Sequence, residues 1–257
     1  MINYFKRIHT GWDKMLKTMK SHTTVRKYTD EQISDDVFHQ LIDAAQHAAS
    51  SNFVQAYSVI QVKDEHKKME LGKLSRNEFQ FETAALSLVF CADLQRAKQA
   101  VEKHDTEMVG DNLENYTVAA IDTALFGQNF ALAAESMGYG ICYIGGVRNN
   151  PKQISELFNL PEYVIPLFGM TVGVPAKLNE VKPRLPVEAI VHEDSYNKEK
   201  YHEQLHRYDE VTRSYYKKRT NNRKDFTWSE TMRDYLSKEK RPHLLEFVQS
   251  QGYLTKE

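Results

Sequence analysis

Apolar positions recur at helical intervals after Ser34. Val37, Leu41, Ala44, Ala45 and Ala48 share one face, the Ser34 hydroxyl stands at a capping position, and Asp35 and Asp36 favour the positive end of the dipole. The pattern breaks at Ser50-Ser51-Asn52, and residues 53–62, with Tyr57, Val59 and Ile60, predict a strand. Residues 63–74 are charged and helical in pattern. The short apolar run 86–92 predicts a central strand, and residues 94–112 a polar, helical stretch with a boundary at Gly110. Residues 116–137 carry the strongest helix signal: Val118, Ile121, Leu125, Leu132 and Met137 at helical spacing, with alanines between, ended by Gly138 and Gly140. Apolar groups surround most of it, which fits a central helix or one shared with a second subunit.

A strand over 141–144 should feed the Gly145-Gly146 pair, and Asn150, with Pro151 at the first helical position and Gln153 beyond it, predicts a helix that stops before Pro161. Residues 164–174 predict a strand closed by Pro175, and 187–191 a short extended piece. From Tyr196 the chain reads as polar helix, broken at 220–222 and near Pro242. The order predicts an α+β sandwich with one core. Three regions follow: a helical lead-in over 1–20, a core over 21–195, and a helical extension over 196–257 that packs on the core or a partner subunit, or caps it.

Composition narrows the class. The 257 residues are 41% hydrophobic, enough for a substantial core, and a net charge of −1 argues against a general nucleic-acid binder. Cys91 and Cys142 both sit in apolar surroundings and predict buried, inert thiols in a reducing, cytoplasmic setting. The lead-in lacks signal-peptide architecture. Its Trp12, Met15, Leu16 and Met19 suit a helix packed on the body, or an interfacial anchor. Residues 118–137 are long enough to span a bilayer, but Asp122, Gln128, Asn129 and Glu135 make that costly, so no membrane association is expected.

Two separated stretches suggest chemistry. His22, Thr24 and Arg26 place imidazole, hydroxyl and guanidinium on alternate residues, so an extended backbone turns all three to one side, where they can hold a phosphate. Gly145 and Gly146 form either an ordinary turn or a bare ledge for a flat ligand. Together they suit flavin mononucleotide (FMN) better than a dinucleotide, whose Gly-x-Gly-x-x-Gly spacing is missing. Residues 181–186, Val-Lys-Pro-Arg-Leu-Pro, are a surface basic turn or, with the first strip, the other half of the phosphate site. The 219–224 run is a solvated turn or an anion-recognition loop. The ten histidines show no metal-ligand spacing, and no serine-hydrolase elbow occurs.

In this order and spacing, the elements His22-Thr23-Thr24-Val25-Arg26, residues 49–55 (Ala-Ser-Ser-Asn-Phe-Val-Gln), residues 143–150, Pro166-Leu167-Phe168-Gly169, residues 182–186 and Asn221-Asn222-Arg223 resemble the oxygen-insensitive, NADPH-dependent nitroreductase and flavin reductase family. The resemblance runs from about Lys20 to the C-terminus. It implies a central mixed β-sheet flanked by helices and an interlocked homodimer with FMN at the subunit interface. It also implies that His22, Arg26, Lys182 and Arg184 hold the phosphate and Thr24 the ribityl chain. Tyr143, Ile144, Gly145 and Gly146 would lie beside the isoalloxazine, with an amide facing N5. Ser50, Ser51 and Asn52 would meet the flavin's polar edge, and Arg219 and Arg223 the NADPH 2′-phosphate. Glu78 stands where relatives often have glutamine; an ionised carboxylate only accepts, so it would bond the flavin N3–H and lower the potential of the ring.

The implied activity is transfer of two electrons from NADPH through flavin N5 to nitroaromatics, quinones, free flavin or similar acceptors by a ping-pong mechanism. No catalytic acid, base, nucleophile or metal is needed, because the cofactor carries the chemistry. The alternatives are a specialised disulfide or flavin reductase with incidental nitro reduction, and a non-catalytic flavin-binding protein.

Overall fold

The computed structural model describes residues 13–220 and 223–255. Two compact units divide them: Glu180–Lys240 forms one, and the residues before Glu180 together with those from Arg241 onward form the other. The sequence reading drew its boundaries at residues 20/21 and 195/196. In the larger unit, residues 13–21 are helical (α1). They are followed by α2 (Asp35–Gln46), β1 (Tyr57–Gln61), α3 (Glu65–Ser75), α4 (Glu78–Thr83), β2 (Leu86–Asp93), α5 (Gln95–Glu102), α6 (Leu113–Ser136), β3 (Gly140–Ile144), α7 (Pro151–Phe158), β4 (Val164–Gly173) and α11 (Leu244–Ser250). The smaller unit holds α8 (Val187–Ile190), α9 (Tyr201–Lys218) and α10 (Trp228–Leu236).

Among the described residues the sheet has four strands in the order β1-β2-β4-β3, every pair antiparallel. This corrects the mixed sheet expected from the resemblance. Both faces are covered, which is why β2 reads as one apolar run rather than an alternation. Leu86, Leu88 and Phe90 pack against Phe38, Leu41, Phe126 and Phe130 from α2 and α6. Val89 and Cys91 point the other way, toward Leu71, Phe81 and Ile154 from α3, α4 and α7. A third cluster joins Ala92, Leu94 and Ile165 to Phe247, Val248 and Tyr253 of the C-terminal segment. Opposite Phe90 and Cys91, β4 carries Leu167 as an extra, bulged residue, so Phe168 and Pro166 take the pairing positions.

Several elements differ from the sequence reading in detail. The buried face of α2 is Phe38, Leu41 and Ala45, one step round from the expected stripe, and Ala48 lies beyond its end. The first strand begins at Tyr57 rather than residue 53, because Asn52, Phe53 and Gln55 have φ of +46°, +60° and +53° and cannot join a ladder. Residues 187–190 are helical, not extended: Pro186 ends in an extended conformation and one turn follows. Pro151 opens α7 as expected, but Asn150 makes no cap bond there and donates its side-chain amide to Leu74 O at 2.6 Å. Trp12 lies outside the described residues, and Met15, Leu16 and Met19 are exposed. Among the described residues, no helix is long and apolar enough to cross a membrane.

Candidate active site

The strip at 22–29 is fixed to the sheet from inside. Val25 is buried and its N–H donates to Ile141 O of β3 at 2.9 Å; Thr29 N–H reaches Val174 O at 2.9 Å. Gly140 makes this approach possible, since a Cβ there would lie 2.7 Å from Val25 Cβ. Tyr28 is buried beneath the strip, its hydroxyl 2.9 Å from Val25 O and from Thr171 Oγ1. Burial raises the pKa of that hydroxyl well above the usual phenol range. With Val25 turned inward, Thr24 and the exposed Arg26 face outward, as alternation predicts. The His22 ring adds a contact that spacing does not reveal: Nδ1 lies 2.6 Å from Glu135 Oε1 in the last turn of α6.

Tyr143, on the α6 side of β3, donates from its hydroxyl to Gln128 Oε1 at 3.4 Å. Burial first, then the charge of Glu135, pushes its pKa upward. Ile144 points to the opposite face and is packed in the core, so it has only backbone to offer a ligand. The chain then enters a tight 3-10 turn, Gly145–Asn149. The glycine at 146 answers to the protein first. A Cβ there would collide with the Ser75 carbonyl oxygen and lie 2.6 Å from Asn77 Nδ2. That packing sets the turn against the start of α4, where Glu78 is exposed at the first helical position. Arg241 clamps the turn from the C-terminal segment, donating from Nε to Asn149 Oδ1 at 3.0 Å and from Nη2 to Gly145 O at 3.2 Å. Arg148 bonds the carbonyl of the bulged Leu167.

Ser50 and Ser51 gather, with Ala56, on one buried carboxylate. Asp122, inaccessible to solvent in the middle of α6, accepts from Ser50 Oγ at 2.7 Å, Ser51 N–H at 3.0 Å and Ala56 N–H at 3.1 Å. Ser50 Oγ also accepts from Gln55 N–H at 2.7 Å, so its hydroxyl serves the loop itself. The loop leaves Phe53 80% exposed. Asp122, Gln128 and Glu135 are three of the four polar residues that make residues 118–137 unfit for a bilayer. Composition therefore flagged them, but not their partners.

Lys182 and Arg184 belong to the smaller unit. Their segment is laid on α9: Tyr208 donates from its hydroxyl to Pro183 O at 2.9 Å, and Tyr215 to Glu180 O at 3.3 Å. The Arg219 guanidinium lies 5.8 Å from the ring centres of both Tyr215 and Tyr216, and Arg223 Nε donates to Arg219 O at 3.0 Å. Asn221 and Asn222 of that motif lie outside the described residues. The structure thus gathers His22, Thr24, Arg26 and Tyr143 near the β3 edge, leads along β3 to Gly145, Gly146 and Glu78, and ties Ser50 and Ser51 to α6.

Residues 19–174 match the model of the nitroreductase family, and residues 182–256 match that of the family's C-terminal domain. The chain belongs to the nitroreductase family. A Cr(VI) reductase of Pseudomonas sp. (strain G-1) is 53% identical over 235 residues, covering 91% of this chain and 97% of that protein. An FMN reductase (NADPH) of Bacillus subtilis (strain 168) is 40% identical over 243 residues, covering 93% and 97%. Among solved structures, the NfrA1 nitroreductase from B. subtilis superposes with a TM-score of 0.90 at 38% identity, covering 94% of this chain and 100% of that one. As a test of fit to FMN, the outward hydroxyl and guanidinium of Thr24 and Arg26, with the His22 imidazole beside them, are the kind of donor set a phosphate takes. The amides of the 145–149 turn are held in place by Arg241 and Arg148.

Proposed function

We propose that this nitroreductase-family protein is an NADPH-dependent flavin oxidoreductase. The observation that carries the reading is the strip His22-Thr24-Arg26, fastened by Val25 to the strand that leads into the Gly145–Asn149 turn. Bound FMN supplies two-electron hydride chemistry at N5, from NADPH to an acceptor. His22 and Arg26 hold the phosphate, Thr24 bonds the ribityl chain, and the amides of the turn donate to the ring. Lys182 and Arg184 are assigned to the phosphate, and Arg219 and Arg223 to the NADPH 2′-phosphate, from the family motifs. Glu78 accepts from the pyrimidine N–H. Ile121 and Leu125, apolar yet exposed on α6, support a homodimer in which Ser50–Asn52 reach the partner's flavin. Two free, buried cysteines support a cytoplasmic setting.

Purified protein is expected to show a flavin spectrum and to bleach when NADPH is added without oxygen. Colourless protein that gains no FMN on reconstitution removes the assignment, and yellow protein that does not bleach leaves a binding protein only. Arg26→Ala should weaken FMN binding by about 1.5–3 kcal/mol, the worth of a charge-assisted contact.

A second reading concerns the acceptor. The 53% identical Cr(VI) reductase favours a metal oxyanion over a nitroaromatic or free flavin. Initial rates with chromate, a nitrofuran and free FMN, each at saturating NADPH, rank the three. Lines of double-reciprocal plots that stay parallel at several NADPH concentrations would support ping-pong exchange.

A further inference from the structure

A carboxylate in the last turn of α6 is poorly placed. It stands at the negative end of a 24-residue helix with no basic side chain in that turn. The Glu135 side chain is only 12% exposed, so it is also largely removed from water. It meets the His22 ring, with Nδ1 at 2.6 Å.

We propose that Glu135 is a positioning residue for the phosphate site, acting through His22; this rests on the reading that His22 faces the FMN phosphate. An ionised carboxylate can only accept, so Nδ1 donates and the ring is held by that bond. Nε2 is then the nitrogen left for the ligand, and it donates to a phosphate oxygen only when the ring carries both protons. In that form the ring donates from Nδ1 to Glu135 and from Nε2 to the phosphate. The arrangement selects a phosphate ester over a neutral flavin. Another ionisable group facing Glu135 is the Tyr143 hydroxyl from β3, kept protonated by burial first and by that charge second, and donating to Gln128. Arg26, two positions beyond Thr24, contributes a charge that does not depend on Glu135.

The test compares FMN and riboflavin affinities of flavin-stripped protein for the native chain, Glu135→Gln, His22→Ala and the double variant. Glu135→Gln should weaken FMN about tenfold, leave riboflavin unchanged, and cost nothing further when His22 is already alanine. An equal loss for riboflavin, or a full loss that persists in the His22→Ala background, overturns the proposal. Nitrogen-15 spectra of the native FMN complex offer a check that needs no variant: both ring nitrogens of His22 should be protonated, and a ring bearing one proton sinks the idea. If the native protein binds FMN no more tightly than riboflavin, the phosphate reading itself fails. If the native preference is intact and Glu135→Gln retains it, only the role of Glu135 falls.

Discussion

Asp122 illustrates how a single side chain can hold a functional loop. Its carboxylate satisfies two backbone N–H groups and one hydroxyl, and those bonds stabilise a run of left-handed residues that would otherwise be strained. Asp122→Ala would leave three donors without an acceptor and should cost at least about 3 kcal/mol in urea-induced unfolding, given about 1.5–3 kcal/mol for each bond to a charged group. A loss under about 1 kcal/mol would mean the loop holds itself. The family resemblance implies Ser50 as a flavin contact; its hydroxyl also donates to Asp122 and accepts from the loop's own Gln55 N–H. A hydroxyl's partners across 72 positions of chain leave no periodic trace. The thiols were easier to read from their apolar neighbours. Burial raises the pKa of both Cys91 and Cys142, so each stays a thiol, not a thiolate, well above neutral pH. Native protein at pH 8 should therefore react slowly with a thiol reagent, with both groups titrating promptly in denaturant. Rapid native labelling would contradict that burial.

Among the elements, α6 was legible throughout because its apolar and alanine positions persist over many turns, and β2 because a strand covered on both faces is apolar at every step. The short pieces were not. Residues 187–190 offer Val, Glu, Ala and Ile, which suit a strand or a single helical turn, and only tertiary context decides. The glycine pair was legible as a turn, but Gly146 has a packing reason that its sequence does not suggest. Gly146 is hemmed by the segment between α3 and α4, not left open. Gly146→Ala should displace that segment, lowering stability by about 1–3 kcal/mol as overpacking does, and should also weaken flavin retention. Thermal unfolding and flavin content measured on the same preparation check this; unchanged values for both would show that the turn can move aside freely.

At the scale of the molecule, the larger unit is discontinuous in sequence: residues up to Asn179 form it only together with those from Arg241 onward. Phe247, Val248 and Tyr253 complete its third apolar cluster, Tyr253 donating from its hydroxyl to Tyr163 O at 2.8 Å. Ending the chain at Lys240 should therefore destabilise the whole unit rather than trim a tail. The expected outcome is insoluble or protease-sensitive protein, and a truncated chain with an unaltered melting curve would refute it. Arg241 bonds the same turn that the flavin reading uses, so a later stretch of chain reaches back to a segment about a hundred residues before it. In a growing polypeptide the Gly145–Asn149 turn therefore waits for translation to pass Arg241 before it gains that brace.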